Sequence, residues 1–141
     1  MQIFFKRLFP DVSIPEYKTR GSVAFDIEIL HGKIIEPEET HFFSTGLIIS
    51  VPEGYMLMLA NRSSNAKKQL TLANGIGVID QDYCGPEDEL HLAIKNVGKI
   101  AYEVKKGERL AQGIILPVER VQFIEHEIEG RKNRGGFGTT G

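Results

Sequence analysis

Apolar and polar residues alternate with a period of two along most of this chain, a pattern that admits strands and excludes long amphipathic helices. Between residues 89 and 95, Leu90, Leu92 and Ile94 alternate with Glu89, His91 and Lys95. The pattern resumes with Ile100, Tyr102 and Val104 against Ala101, Glu103 and Lys105, so the two runs, separated by Val97-Gly98-Lys99, are expected to pair as a hairpin. A third run covers 109–118, with Leu110, Ile114, Leu116 and Val118 on one face and Pro117 placing the strand's end at an edge. Further strands are expected at 2–6, 22–29, 41–50 and 55–60, the last so uniformly apolar that both its faces should be covered. Pro52-Glu53-Gly54 suits a type I turn with proline second. One segment reads as helical, residues 65–70, with the Ser64 hydroxyl as its cap. Many short strands, frequent turns and one short helix predict a single all-β domain: a sandwich, a barrel or a jelly roll.

At 141 residues the chain fits one domain, and 41% hydrophobic with 26% charged residues is ordinary globular composition. No apolar run approaches the roughly 20 residues that span a bilayer, so no membrane partner is expected. Seventeen Lys and Arg against 19 Asp and Glu leave a net charge of −2, which excludes a broad basic face and with it a nucleic-acid partner recognised by bulk charge. The start, Met1-Gln2-Ile3-Phe4-Phe5-Lys6, has none of the parts of a secretion signal, and a single cysteine cannot form an internal disulfide; both fit a cytoplasmic setting. The oddity is glycine, 15 residues, of which five fall within the last 12. That tail, 130–141, shifts composition abruptly and separates a β core, 1–129, from a C-terminal arm.

The arm holds Arg134, glycines and threonines, the residue types that bring backbone amides, hydroxyls and a bidentate cation to phosphate. A frayed terminus is the plainer reading, yet Phe137 between glycines is suited to stacking on a flat ligand. The segment 74–85 runs from an apolar strand into Asp80, Asp82 and Tyr83. Asp80, at the end of a strand, is either a carboxylate for activating water or holding a metal, or the start of an Asx-turn. Arg62-Ser63-Ser64 reads as a phosphate grip, as a helix cap, or as both. The four histidines are too scattered for a zinc site, and Cys84 has no identifiable base beside it.

Taken in order, five segments resemble the motifs of the trimeric dUTPase family. They are Ala24-Phe25-Asp26-Ile27, Arg62-Ser63-Ser64, the run from Asn74 through Gly85, Gly107-Glu108-Arg109-Leu110-Ala111-Gln112, and Arg134 through Gly141. The resemblance implies a jelly roll with a closing C-terminal arm, a homotrimer whose sites are shared between subunits, and hydrolysis of dUTP to dUMP and pyrophosphate. It implies Asp80 as general base for the water that attacks the α-phosphorus. Tyr83 would lie under the deoxyribose and exclude a 2′-hydroxyl, while Asn74 and the backbone around Gly77 would read the uracil edge. Arg62, Ser63, Ser64 and Gln112 would hold the phosphates. Asp26 and Gln112 would support, through water, a Mg2+ ion carried mainly by the triphosphate. Phe137 would stack on uracil, and Arg134, Gly138, Thr139 and Thr140 would grip the γ-phosphate, with Arg131 and Lys132 as alternative cations. The same resemblance implies action in the cytoplasm, a host's if the protein is viral.

Two departures bear on this. Pro86-Glu87-Asp88 lengthens the hairpin after Gly85, and the second motif carries Ser64 where many members have glycine. Two rival readings share the fold. A dCTP deaminase would place a glutamate three residues before Asn96, where this chain has Ala93; a nucleotide-sensing jelly roll without turnover would have no use for Asp80.

Overall fold

The structure, a computed structural model, describes residues 1–127, 130 and 132–138. Its elements are β1 (Phe4–Arg7), β2 (Phe25–Glu28), β3 (Lys33–Ile35), β4 (Thr40–Ser44), β5 (Leu47–Ser50), β6 (Tyr55–Asn61), α1 (Ser64–Lys68), β7 (Leu70–Leu72), β8 (Gly77–Ile79), β9 (His91–Asn96), β10 (Tyr102–Val104) and β11 (Arg109–Pro117). The pairings are antiparallel and form sheets ordered β2-β11-β6-β8, β4-β9-β7, β1-β5 and β10-β3. The expected all-β architecture with one short helix is therefore what forms.

Alternation explains the core. Leu57 and Leu59 of β6, Leu92 and Ile94 of β9, and Ile27 of β2 are buried together with Ile35, Phe43 and Leu110. Each such side chain contributes roughly 1.5–3 kcal/mol on leaving water. On β11 the core-facing residues are Ala111, Gly113 and Ile115, paired with Asn61, Leu59 and Leu57. The opposite face of this sheet carries Met56 and Met58 of β6 and Gln112, Ile114 and Leu116 of β11, all half-buried, with Val78 of β8 exposed beside Met58. The expectation that both faces of 55–60 are covered thus holds on one face of a single chain and only in part on the other.

Several local expectations are corrected. Leu110 does not share a face with Ile114 and Leu116, because the register shifts between Arg109 and Ala111, and this bulge buries Leu110 and Ala111 in succession. The 89–95 and 100–105 runs do not pair: β9 lies between β4 and β7, whereas β10 pairs with β3. Asn96 diverts the chain, its Nδ2 donating to the carbonyls of Ile35 (2.9 Å) and Ile100 (2.8 Å) and its Oδ1 accepting from Gly98 N (2.8 Å). Period two reports which face a side chain takes and is silent about which strand lies alongside.

The run at 41–50 is two strands, broken at Gly46, whose φ of +70° and approach to Val12 (2.4 Å from where a Cβ would stand) leave room for glycine alone. The turn before β6 closes between Tyr55 N and Pro52 O (3.2 Å), so proline is first and Gly54, φ +79°, is third. Finally, Ser64 does not cap α1. It lies inside the helix, with its hydroxyl buried and unpartnered among the described residues, and the cap position is Ser63, already helical in φ and ψ and making no side-chain cap bond. One residue of offset carries the Ser64 oxygen past the free amides it was expected to meet.

Candidate active site

The sequence-predicted residues gather into two separate clusters. The first stands where β2, β11 and the end of β6 meet. Asp26 and Gln112 face each other across the β2–β11 pairing, and Arg62 follows the last residue of β6. Asp26 is clamped: its Oδ1 meets Arg62 Nε at 2.7 Å and its Oδ2 meets Arg109 Nη1 at 3.1 Å. Arg62 also donates from Nη1 to the Arg109 carbonyl (3.2 Å), and Gln112 Nε2 donates to the Asn61 carbonyl (2.9 Å). These side chains line one open cavity with Ser22, Ala24, Ser63 and Lys18, which itself pairs with Glu16. Two guanidinium groups against one carboxylate leave a net positive, donor-rich surface that suits polyphosphate.

Sequence reasoning passed over two of these cations. Arg109 lies within the fourth motif, but its partner Asp26 is 83 positions away and only the strand pairing joins them. Lys18 sits in a stretch with no strand or helix pattern to place it.

The second cluster is a cavity of about 300 Å3 between β6, β8 and β9, lined by Asn74, Gly77, Asp80, Tyr83, Phe42, His91 and Ala93 among others. Gly77 lets β8 lie close on β6, since a Cβ there would come within 3.1 Å of the Leu59 side chain. Tyr83 is held by two bonds: its hydroxyl donates to the Glu89 carbonyl (2.9 Å), and its amide to the Asp80 carbonyl (3.3 Å). The residue remains 39% exposed, which leaves surface to contact a ligand. Asp80 stands just beyond β8, exposed, and its carboxylate has no hydrogen-bond partner among the described residues. The lengthened loop before β9 is closed locally, Asp88 Oδ2 accepting from Gly85 N (2.6 Å), and Glu89 reaches the Ser44 hydroxyl and Gly46 N (2.6 Å).

Among the described residues the two clusters line separate cavities. Ser64 belongs to neither lining, its side chain being turned inward. Arg134, Phe137 and Gly138 are exposed and line neither cluster, and among the described residues the last strand ends at Pro117, ahead of the arm. Thr139, Thr140 and Arg131 lie outside the described residues. Among the described residues no helix is long and apolar enough to cross a membrane.

Comparison with known proteins gives one answer at each level. The dUTPase family model matches residues 11–141. The deoxyuridine 5'-triphosphate nucleotidohydrolase of Nautilia profundicola is 36% identical over 144 aligned positions, covering 100% of this chain and 99% of that protein. Its counterpart from a Hydrogenobaculum species is 37% identical over 145, with the same coverage. Among solved structures, the dUTPase of Staphylococcus bacteriophage 80alpha with dUPNHPP superposes with a TM-score of 0.86 at 27% identity, covering 99% of this chain and 98% of the phage chain. Matched nearly end to end by the family model and by relatives well above 30% identity, the chain belongs to the dUTPase family.

Proposed function

We propose that the protein hydrolyses dUTP to dUMP and pyrophosphate, with Asp80 as the general base. The observation that carries this is the Asp80 carboxylate: without a hydrogen-bond partner among the described residues, and lining the cavity that also holds Asn74, Gly77 and Tyr83. A water beside it loses a proton to the carboxylate as its oxygen bonds to the α-phosphorus. The bond from that phosphorus to the α–β bridging oxygen breaks, and pyrophosphate leaves. Relatives matched over their whole length carry the name of this activity, which supports the same reading.

Asn74 reads the uracil edge, and a pyrimidine with an amino group at position 4 meets a donor where an acceptor is needed, at a cost of about 1–3 kcal/mol. Tyr83, fixed by Glu89 and Asp80, packs under the deoxyribose. Arg62, Ser63 and Gln112, with Arg109 beside them in one cavity, receive the phosphates, and the Ser64 backbone amide joins them on the family resemblance alone. Phe137, Arg134, Gly138, Thr139 and Thr140 close over the nucleotide as the arm folds down.

A site shared between chains supports a homotrimer. One chain keeps its phosphate cluster and its nucleoside cavity apart, and the half-exposed apolar face of Met56, Met58, Ile114 and Leu116 is a surface for a second copy to cover. Mg2+ fits the residues in a supporting role. Among the described residues no three His, Cys, Asp or Glu side chains converge to cage an ion, and both Asp26 oxygens are engaged by arginines. With its Nε2 committed to Asn61, Gln112 retains a hard amide oxygen for an ion's water. When bound, the ion supplies charge neutralisation to the phosphates. The unpaired exposed cysteine is compatible with a cytoplasmic enzyme.

Deamination of dCTP is disfavoured by a specific placement: Ala93, the position where an acid would shuttle protons, lines the nucleoside cavity itself. One assay separates the readings. The protein is incubated with dUTP, dCTP, dTTP or UTP and Mg2+, and the products are resolved. Pyrophosphate and dUMP from dUTP alone are expected. Ammonia from dCTP, or no product from any nucleotide, refutes the proposal.

A further inference from the structure

We infer that Asn65 is a positioning residue that holds the phosphate cluster in register, an inference that rests on the proposed phosphate role of Arg62 and Gln112. Asn65 points inward from α1 and is 1% exposed, in a place where an apolar side chain would serve packing alone. Its Nδ2 donates to the Leu110 carbonyl (2.7 Å) and to Asn61 Oδ1 (3.1 Å). Both partners are acceptors, so the amide orientation is fixed by chemistry. Leu110 is the bulge residue between Arg109 and Ala111, and Asn61 is the last residue of β6, directly before Arg62.

The same Asn61 uses its Oδ1 to accept from Leu72 N (2.9 Å), its Nδ2 to reach Thr71 Oγ1 (3.1 Å) and its backbone carbonyl to hold Gln112 (2.9 Å). One amide therefore ties the strand end that launches Arg62 to the bulge that launches Arg109 and Gln112. Among the described residues Asn65 Oδ1 is buried without a partner, an unfavourable arrangement that leucine would avoid. An amide placed here in spite of that cost points to what its donors hold in place.

The test compares two affinities. Isothermal titration measures binding of an α,β-imido analogue of dUTP and of dUMP to the full-length protein and to Asn65→Leu. A loosened cluster is expected to weaken the imido analogue about tenfold, equivalent to roughly 1.4 kcal/mol, while dUMP binding stays within about twofold. A purely structural residue would move both affinities together or neither, and either result overturns the inference. Asn65→Ala is the second variant, and failure of both to fold would also overturn it by making Asn65 a stability residue. The dUTP reading fails separately, if the unaltered protein binds the imido analogue yet releases no dUMP from dUTP.

Discussion

Replacing Gly113 by alanine tests whether the β2–β11 seam sets both stability and catalysis. A Cβ on Gly113 would stand 2.5 Å from Phe25 Cζ, 2.6 Å from Cε2 and 3.0 Å from Leu57 Cδ1. Carbon atoms prefer about 3.5–4.0 Å, so the buried Phe25 ring must retreat by about 1 Å. Overpacking of this kind costs about 1–3 kcal/mol. Loss of glycine's freedom in the unfolded chain returns about 0.4–1 kcal/mol. At mid-range values the net is a destabilisation of about 1.3 kcal/mol, or a fall of about 3–5 °C in melting temperature for a domain of this size.

Phe25 and Gly113 form the rung next to Asp26 and Gln112, so the displaced ring also shifts those two against each other. kcat/KM for dUTP should therefore fall at temperatures where the variant is fully folded. Scanning calorimetry at fixed protein concentration measures the first effect, and initial rates the second. Phe25→Leu in the same chain should relieve the clash, with a coupling of about 1 kcal/mol or more in the double-mutant cycle. An alanine variant as stable as its parent, or strict additivity in the cycle, would refute the reasoning.

Three further outcomes follow from the site and its surroundings. Asp80→Asn should lower turnover by about 10²–10⁴-fold while binding the imido analogue of dUTP nearly unchanged; an unaltered rate removes Asp80 from the mechanism. Deleting residues 130–141 should leave the circular dichroism spectrum intact and reduce kcat/KM on the order of 10²-fold, whereas full activity would mean the arm is only a frayed end. Burial pushes the Glu108 carboxyl up, but hydrogen bonds from Lys68 (2.7 Å), its own turn amide at Lys105 (2.9 Å) and Tyr102 (2.9 Å) outweigh burial and hold it below its ordinary value of 4.5. A lowered folded-state value stabilises above the unfolded value and is lost as pH falls through the folded one, so Glu108→Gln should be the less stable protein at pH 7. Urea titrations should find that deficit shrinking below about pH 4.5, and a deficit independent of pH would contradict the assignment.

Strands β6, β9 and β11 were readable because one face of each meets a core, and period two records that contact directly. Pairing was not readable. Nothing local announces that Asn96 turns the chain away from its sequence neighbour, or that Gly46 divides what looks like one strand. The site divides in a similar way. Asp26, Arg62, Asn74, Asp80, Tyr83 and Gln112 were identifiable through a family resemblance, since their residue types recur in short ordered segments. Their separation into two clusters, and the entry of Arg109 into one of them, depends on strand register across more than 80 positions. Asn65 was invisible for a related reason: on a short helix a buried amide and a surface amide read alike until the packing is known.

Strand β11 carries one last implication. Its outward series runs Gln112, Ile114, Leu116, so a residue proposed to hold phosphate and two aliphatic neighbours are written on alternate letters of a single strand. Whatever surface roofs the two aliphatic side chains must pass beside the glutamine as well. The proposed docking face and the proposed phosphate site are thus about 7 Å apart by strand geometry. If copies of the chain associate through this face as proposed, a substitution that weakens their association would also disturb the proposed phosphate site, and lone subunits would be poorly catalytic while still folded.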